Sequence, residues 1–133
     1  MIYSITHDTL FLAQKSVPAT QKDRQTVIDL KNTLNANFNK IAGMAANMIG
    51  KHQNIIGVVL GTLPFIMINP QIINKEDPYI IGLSLKGKRQ TKRFRKIQIK
   101  YQDENFKWNL QIFNDFIAEV IQHEIDHCNG ILI

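Results

Sequence analysis

The strongest constraint on this chain is its last segment, QHEIDHCNGILI, residues 122–133, which places two histidines and a glutamate on one predicted helix. Residues four apart lie on the same helix face, so His123 and His127 can bind one metal ion. Glu124 lies about 100 degrees round from His123, where it can take a proton from metal-bound water and later return it to the leaving group. The alternative is a chance match on an amphipathic helix, with both histidines hydrogen-bonded in ordinary ways. The pattern favours a metal site, because a buried histidine pair beside a buried glutamate is costly without a binding partner.

A hydrolytic metal centre of this kind takes three protein ligands, and the motif supplies two. A ligand placed six residues after the second histidine would be Ile133, which has no donor atom. We therefore expect the third ligand upstream, on a strand or loop beside the helix. Cys128 is the only cysteine, but it directly follows His127 and so points about 100 degrees away from the histidine face. His7 and His52 are further candidates, and both are expected on the surface.

The apolar periodicity predicts a single α+β domain over residues 1–133, with strands between an early and a final helix. The predicted elements are a helix over 21–41, a small-residue turn over 43–51, strands over 55–60, 63–68, 79–85, 93–101 and 106–112, and a helix from Asn114 or Asp115 to residue 128. Asn69-Pro70 is expected to end the second strand, and Gly130 is expected to end the final helix in the left-handed conformation.

The net charge of +5 is concentrated in one stretch of the sequence. Residues 86–100 contain eight lysines and arginines and no acidic residue, which suggests contact with nucleic acid or another polyanion such as the ribosome surface. A solvated hairpin whose charges protect a sheet edge is the alternative interpretation. No apolar run approaches the ~18 residues of a membrane span, and no signal peptide is visible. The single cysteine cannot form an internal disulfide, which predicts a cytoplasmic protein. Neither a membrane nor DNA is expected as a partner.

Several segments in one order resemble the peptide deformylase family. HEIDHCNGIL, residues 123–132, is similar to the family's HExDH helix and the asparagine-glycine turn after it. Residues 41–48, IAGMAANM, resemble its first motif, GxGxAAxQ, and residues 67–70, MINP, resemble the strand that precedes its second motif. That second motif, EGCLS, falls on residues 80–84, IIGLS. The resemblance runs nearly the whole chain and implies the deformylase fold.

The resemblance also implies site roles, and two of them fall on unsuitable residues. The family's third metal ligand is the cysteine of EGCLS, and that position is Gly82 here. The glutamine whose amide steadies the oxyanion is Met48 here, and methionine donates no hydrogen bond. The backbone N–H of Leu83 is the other implied oxyanion donor, and the backbone at Ala42 and Gly43 would bind substrate as an added strand.

The function implied is hydrolytic removal of the N-formyl group from the initiator methionine of nascent peptides, with Fe²⁺, Ni²⁺ or Zn²⁺ as cofactor. Because Gly82 and Met48 replace the expected groups, we expect weak occupancy by metal and weak or absent turnover. A catalytically inactive peptide- or ribosome-binding module is the alternative, and a different metal hydrolase is a third hypothesis.

Overall fold

The computed structural model describes residues 1–81 and 91–131, which form an α+β fold. Within these residues the helices are α1 (Thr9–Leu12), α2 (Arg24–Ala36) and α3 (Asp115–Cys128), with 3₁₀ turns at Gln21–Asp23 and Ala46–Ile49. The strands are β1 (Gly43–Ala45), β2 (Ile55–Leu60), β3 (Leu63–Ile81), β4 (Thr91–Gln102) and β5 (Trp108–Asn114). They form one antiparallel sheet in the order β1-β2-β3-β4-β5. None of the helices in this part of the chain has the length and apolar character to cross a membrane.

Helices α2 and α3 pack on different apolar clusters of the sheet. Successive residues of a strand face opposite sides, so Ile55 packs in a cluster with α2 while Ile56 packs in a cluster with α3. Gly57 allows α2 to approach, because a Cβ there would lie 2.9 Å from Leu34 Cδ2. The sheet therefore separates two cores, and α3 carries the HEIDH residues on one of them.

Three predicted boundaries are wrong, and the turn predicted over 43–51 is strand β1 in its first three residues and a 3₁₀ turn over Ala46–Ile49. The helix predicted over 21–41 ends at Ala36, because the Asn37 side chain donates to the Thr33 carbonyl at 2.7 Å and takes the place of the next helical hydrogen bond. Asn69-Pro70 does not end a strand. It forms an irregularity inside the long β3, with Asn69 at φ 52° and the pairing with β4 shifted between residues 68 and 71. The last strand begins at Trp108 rather than at residue 106, since Phe106 is in a turn at φ 60°.

The other predicted helix and strand positions are confirmed, except where they fall outside the described residues. Strand β2 occupies the predicted range, β4 contains the predicted 93–101, and Gly130 has the left-handed φ of 74°. Asn114 is the N-cap of α3 by position, yet its side chain makes no capping hydrogen bond. The strand predicted over 79–85 is the end of β3 as far as Ile81, and residues 82–85 lie outside the described residues.

Candidate active site

The two histidines of α3 face each other one helical turn apart. His123 and His127 are half-buried, and their Nε2 atoms are 3.0 Å from each other. Ala118 and Ile121 hold this helix against the sheet, because both are fully buried in the core cluster that β4 shares. The helical spacing of the motif therefore brings two nitrogen donors to one point, as the sequence predicted.

Both imidazoles are kept neutral at neutral pH. Burial lowers the pKa of His127 to about 4, and the neighbouring His123 and the Arg93 guanidinium lower it further in the same direction. Burial and then Arg93 also lower the pKa of His123, against the opposing charges of Asp126 and Glu119. Neutral rings have a lone pair to offer a metal, so these histidines are suited to be ligands without first losing a proton.

Glu124 lies beside the histidines in the interior. Its side chain is 4% exposed, and its Oε1 has no hydrogen-bond partner among the residues that the structure describes. Burial raises the pKa of Glu124 to about 8, because an ionised carboxylate loses its hydration in an apolar surrounding. At neutral pH the group is therefore mostly a carboxylic acid. A pH rise of about one unit would bring the protonated and ionised forms to equal amounts.

A cleft of about 330 Å³ joins these residues to the first motif. One wall comes from the segment that leads into β1, and the other comes from α3. The lining residues are Ile41, Ala42, Gly43, Met48, Glu119, Val120, His123, Glu124 and His127. The structure thus brings together the predicted substrate-binding residues and the predicted metal and proton-transfer residues, although they are far apart in sequence.

Gly43 sets the distance between β1 and α3. A Cβ at this position would lie 2.7 Å from Val120 Cγ1 and 3.1 Å from Glu124 Cγ. Only a glycine lets the strand backbone come this close to the helix without a shift of neighbouring side chains. The first motif therefore needs its glycine for packing.

Among the described residues, no strand pairs with the outer edge of β1. The Ala42 carbonyl accepts from Val59 N–H at 2.9 Å, so this group is committed to β2. Hydrogen-bonding direction alternates along an antiparallel strand, so the N–H and carbonyl of Gly43 point to the open edge. Ala45 N–H points the same way, and the Met48 sulfur lies 3.3 Å from it as an acceptor. Gly43, more than Ala42, therefore offers backbone groups to a bound peptide.

A third metal ligand is not present among the described residues. Within residues 1–81 and 91–131 no three His, Cys, Asp or Glu side chains converge to hold an ion. Cys128 is buried and lines a different cavity, with Pro70 and Ile72 among its neighbours, and burial raises the pKa of its thiol to about 12. Gly82 and Leu83, the implied ligand position and oxyanion donor, lie outside the described residues.

The other two histidines do not line the cleft. His52 packs on the Phe11 ring at 4.0 Å between centroids, and its Nε2 is 3.0 Å from the Phe11 carbonyl. His7 is exposed. The exposure of His7 confirms its expected place on the surface, whereas His52 is half-buried, so the expectation for His52 is wrong.

Three residues near the site were missed by sequence reasoning. Arg93 is 3% exposed and pairs with Asp126 at 2.9 Å, and Asn47 is fully buried and donates to the His127 carbonyl at 2.8 Å. Glu119 lines the cleft one turn before His123. Of these three, only Glu119 could have been found from the sequence. Glu119 and His123 are four residues apart and therefore share a helix face.

Comparison with known proteins gives one consistent result. The sequence matches the family model described as polypeptide deformylase over residues 1–133. A peptide deformylase of Clostridium beijerinckii is 48% identical over 136 residues, which cover 100% of both chains. A peptide deformylase of Thermoanaerobacter pseudethanolicus is 30% identical over 126 residues, covering 91% of this chain and 79% of that relative. The crystal structure of the Thermotoga maritima peptide deformylase has the same fold, with a TM-score of 0.82 at 24% identity over 99% of this chain and 95% of that one.

Proposed function

The chain belongs to the polypeptide deformylase family, whose members are metal-dependent hydrolases that remove the N-formyl group from nascent peptides, and we propose that its cleft performs this reaction weakly. The observation that carries the proposal is the pair of facing imidazole nitrogens, 3.0 Å apart, beside a buried glutamate in a cleft with an open strand edge. The substrate would be the N-terminal formyl-methionyl group of a peptide.

The donor set fits a divalent ion in part. His123 and His127 offer neutral nitrogens that face each other, and His127 Nδ1 is buried without a partner among the described residues. These two residues would hold Fe²⁺, Ni²⁺ or Zn²⁺. When bound, such an ion polarises a carbonyl oxygen and makes hydroxide available near neutral pH. Two histidines alone hold these ions weakly, so low occupancy is part of the proposal.

Glu124 is assigned the proton transfers. Its carboxyl lies in the cleft wall, and its pKa of about 8 leaves both protonation states accessible near neutral pH. The ionised form can accept the proton of the attacking water, and the acid form can return it to the leaving amine. Burial keeps bulk water from competing for the same proton.

The peptide backbone is assigned to the open edge of β1. Gly43 would form backbone hydrogen bonds with an extended peptide, which adds a strand to the sheet, while Ala42 and Met48 shape the cleft. Strand addition gives affinity through the main chain and is largely independent of side chains. The carbonyl of the formyl group would then lie near the histidines, with the Leu83 N–H as the assigned oxyanion donor.

Weak turnover follows from the residues at positions 48 and 82. Met48 offers no N–H to an oxyanion, and the loss of one such donor typically lowers the rate by ~10²–10³. Gly82 has no donor atom for the metal. These two differences act on separate parts of the reaction, namely transition-state charge and metal retention.

Metal content and hydrolysis of a formyl-methionyl tripeptide test the proposal together. The purified protein should retain little metal, and His123→Ala or His127→Ala should abolish what is retained. Gly82→Cys should raise metal retention, and adding Met48→Gln should raise turnover by up to ~10²–10³. Glu124→Ala in this repaired chain should remove the turnover. Hydrolysis by the wild-type protein at full rate, with no gain from Gly82→Cys, would show that another ligand completes the site.

A peptide-binding module without catalysis is the second candidate. The lack of a third ligand among residues 1–81 and 91–131 favours it, since the cleft and strand edge need no metal to bind a peptide. In this case the basic segment 86–100 would contact the ribosome. Metal-free protein that binds a formyl-methionyl peptide, and a repaired chain that gains metal without turnover, would support this candidate over the enzyme.

A further inference from the structure

Glu119 adds a second carboxyl group to the cleft. It lies on α3 one turn before His123, is half-buried, and lines the same cavity as the histidines and Glu124. Its Oε1 accepts a hydrogen bond from the Tyr79 hydroxyl at 2.7 Å. This bond fixes the carboxylate in place and leaves its other oxygen without a hydrogen bond to any residue that the structure describes.

Among the described residues, the cationic groups close to the Glu119–Tyr79 pair are Arg93 and Arg95, and neither forms an ion pair with Glu119. Burial and the hydrogen bond with Glu119 raise the pKa of Tyr79 to about 12, so the phenol donates without supplying a countercharge. The ion pairs within residues 1–81 and 91–131 do not include Glu119, and the nearby Arg93 is paired with Asp126. Arg95 lies over the Tyr79 ring, 4.5 Å from its centroid, where it stacks on the phenol.

The walls next to this carboxylate are apolar. Ile41 and Val120 line the cleft together with Ala42. A lysine or arginine side chain buries its aliphatic stem along apolar surface and keeps its charged end at a polar group. An apolar wall that ends at a fixed carboxylate has the chemistry that recognises such a side chain.

We infer that Glu119 forms a subsite for a basic side chain, so that the cleft prefers peptides with lysine or arginine within two residues of the N-terminus. The inference rests on the proposed docking of a peptide along β1, which brings these first side chains over the cleft. The cationic end would bond the free carboxylate oxygen while Tyr79 holds the other. Charge-assisted hydrogen bonds are stronger than neutral ones, and partial burial limits screening by salt, so a preference of about tenfold is expected.

Two matched peptide pairs isolate the charge. Formyl-Met-Lys-Ala is compared with formyl-Met-norleucine-Ala, and formyl-Lys-Ala with formyl-norleucine-Ala, because norleucine keeps most of the stem of lysine and lacks the ammonium. Dissociation constants are measured by calorimetry at pH 7 in a Glu124→Gln background, so that no peptide is consumed. In at least one pair the lysine peptide should bind about tenfold more tightly.

Glu119→Gln should abolish the preference, because the amide oxygen can still accept from Tyr79 while the negative charge is lost. Glu119→Asp should retain part of it. The matched control is Glu104→Gln, which removes an exposed carboxylate that pairs with Lys31 outside the cleft and should leave the preference intact. Equal affinities within both pairs, or a preference that survives Glu119→Gln, would overturn the subsite while the peptide-binding function stands. If the norleucine peptides do not bind at all, the proposed docking along β1 is wrong and the subsite fails with it.

Discussion

Replacement of Glu124 by glutamine should stabilise the metal-free protein, and the gain should grow as the pH rises. The carboxyl is 4% exposed and has a pKa of about 8 in the folded state, against 4.5 for a solvated glutamate. In the folded state this group must therefore either stay protonated or carry its charge without hydration. Glutamine has nearly the same shape and carries no charge at any pH, so the substitution removes only the titration.

The sign and size follow from proton linkage. Between pH 4.5 and 8 the folded state binds the proton of Glu124 more tightly than the unfolded state, so the free energy of unfolding falls as pH rises through this window. Each pH unit well inside the window corresponds to about 1.4 kcal/mol. From pH 5.5 to 7.5, wild-type protein should therefore lose about 2–3 kcal/mol relative to Glu124→Gln. His127 has a lowered pKa and gains stability with rising pH between about 4 and 6.5, but it does so in both proteins and cancels in the difference.

Urea unfolding of both proteins, with a chelator present, at half-unit steps from pH 5.5 to 7.5 measures this difference. Glu104→Gln is the matched control, because its exposed carboxylate should give a difference that does not depend on pH. A constant difference between wild type and Glu124→Gln across the range would refute the reasoning. It would mean that Glu124 ionises as easily as a solvated glutamate and that its carboxyl is hydrated in the folded protein.

Three further outcomes are expected from the packing. Gly43→Ala should lower the free energy of unfolding by about 1–3 kcal/mol, because the added methyl would lie 2.7 Å from Val120 Cγ1; an unchanged thermal midpoint would contradict this. Asn69→Ala should destabilise by about 1–3 kcal/mol, since the side chain bonds both the N–H and the carbonyl of Ala19, and urea denaturation measures the loss. Cys128 should resist iodoacetamide at pH 8 in folded protein, with its pKa raised to about 12, and should react after unfolding, as mass spectrometry would show.

Sequence periodicity predicted the fold where one physical effect dominates. Strand β2 and helix α3 have strong apolar patterns and were placed correctly, because burial of those residues decides their structure. Boundaries failed where a polar side chain competes with the backbone. Asn37 ends α2 by bonding the Thr33 carbonyl, and Asn69 holds a left-handed bend inside β3 by bonding Ala19, 50 residues away. Ala19 is too distant in the chain to leave a local signal, and the Asn37 contact, although local, is only one of two ways in which the Thr33 carbonyl can be bonded.

In the candidate site, too, some features were predictable from the sequence and others were not. The spacing of His123 and His127 is a helical property, so their convergence followed from the sequence. The approach of β1 to α3 depends on the absence of a side chain at Gly43, which became clear only from the structure. The buried Arg93–Asp126 pair could not be predicted, because it joins two elements whose relative position is a result of folding.

The protonation states in the cleft have a consequence for how an ion enters. Both histidines are neutral near pH 7, so they have no proton to release when they become ligands. The group that holds a proton in this cleft is Glu124, and a nearby cation would lower its pKa and drive that proton out. Uptake of an ion should therefore release close to one proton, counted by calorimetry in buffers of different ionisation enthalpy, and that proton should be missing in Glu124→Gln. Because the divalent ion adds two positive charges and the proton lost from Glu124 removes one, the net charge of the cleft would rise by about one unit instead of two.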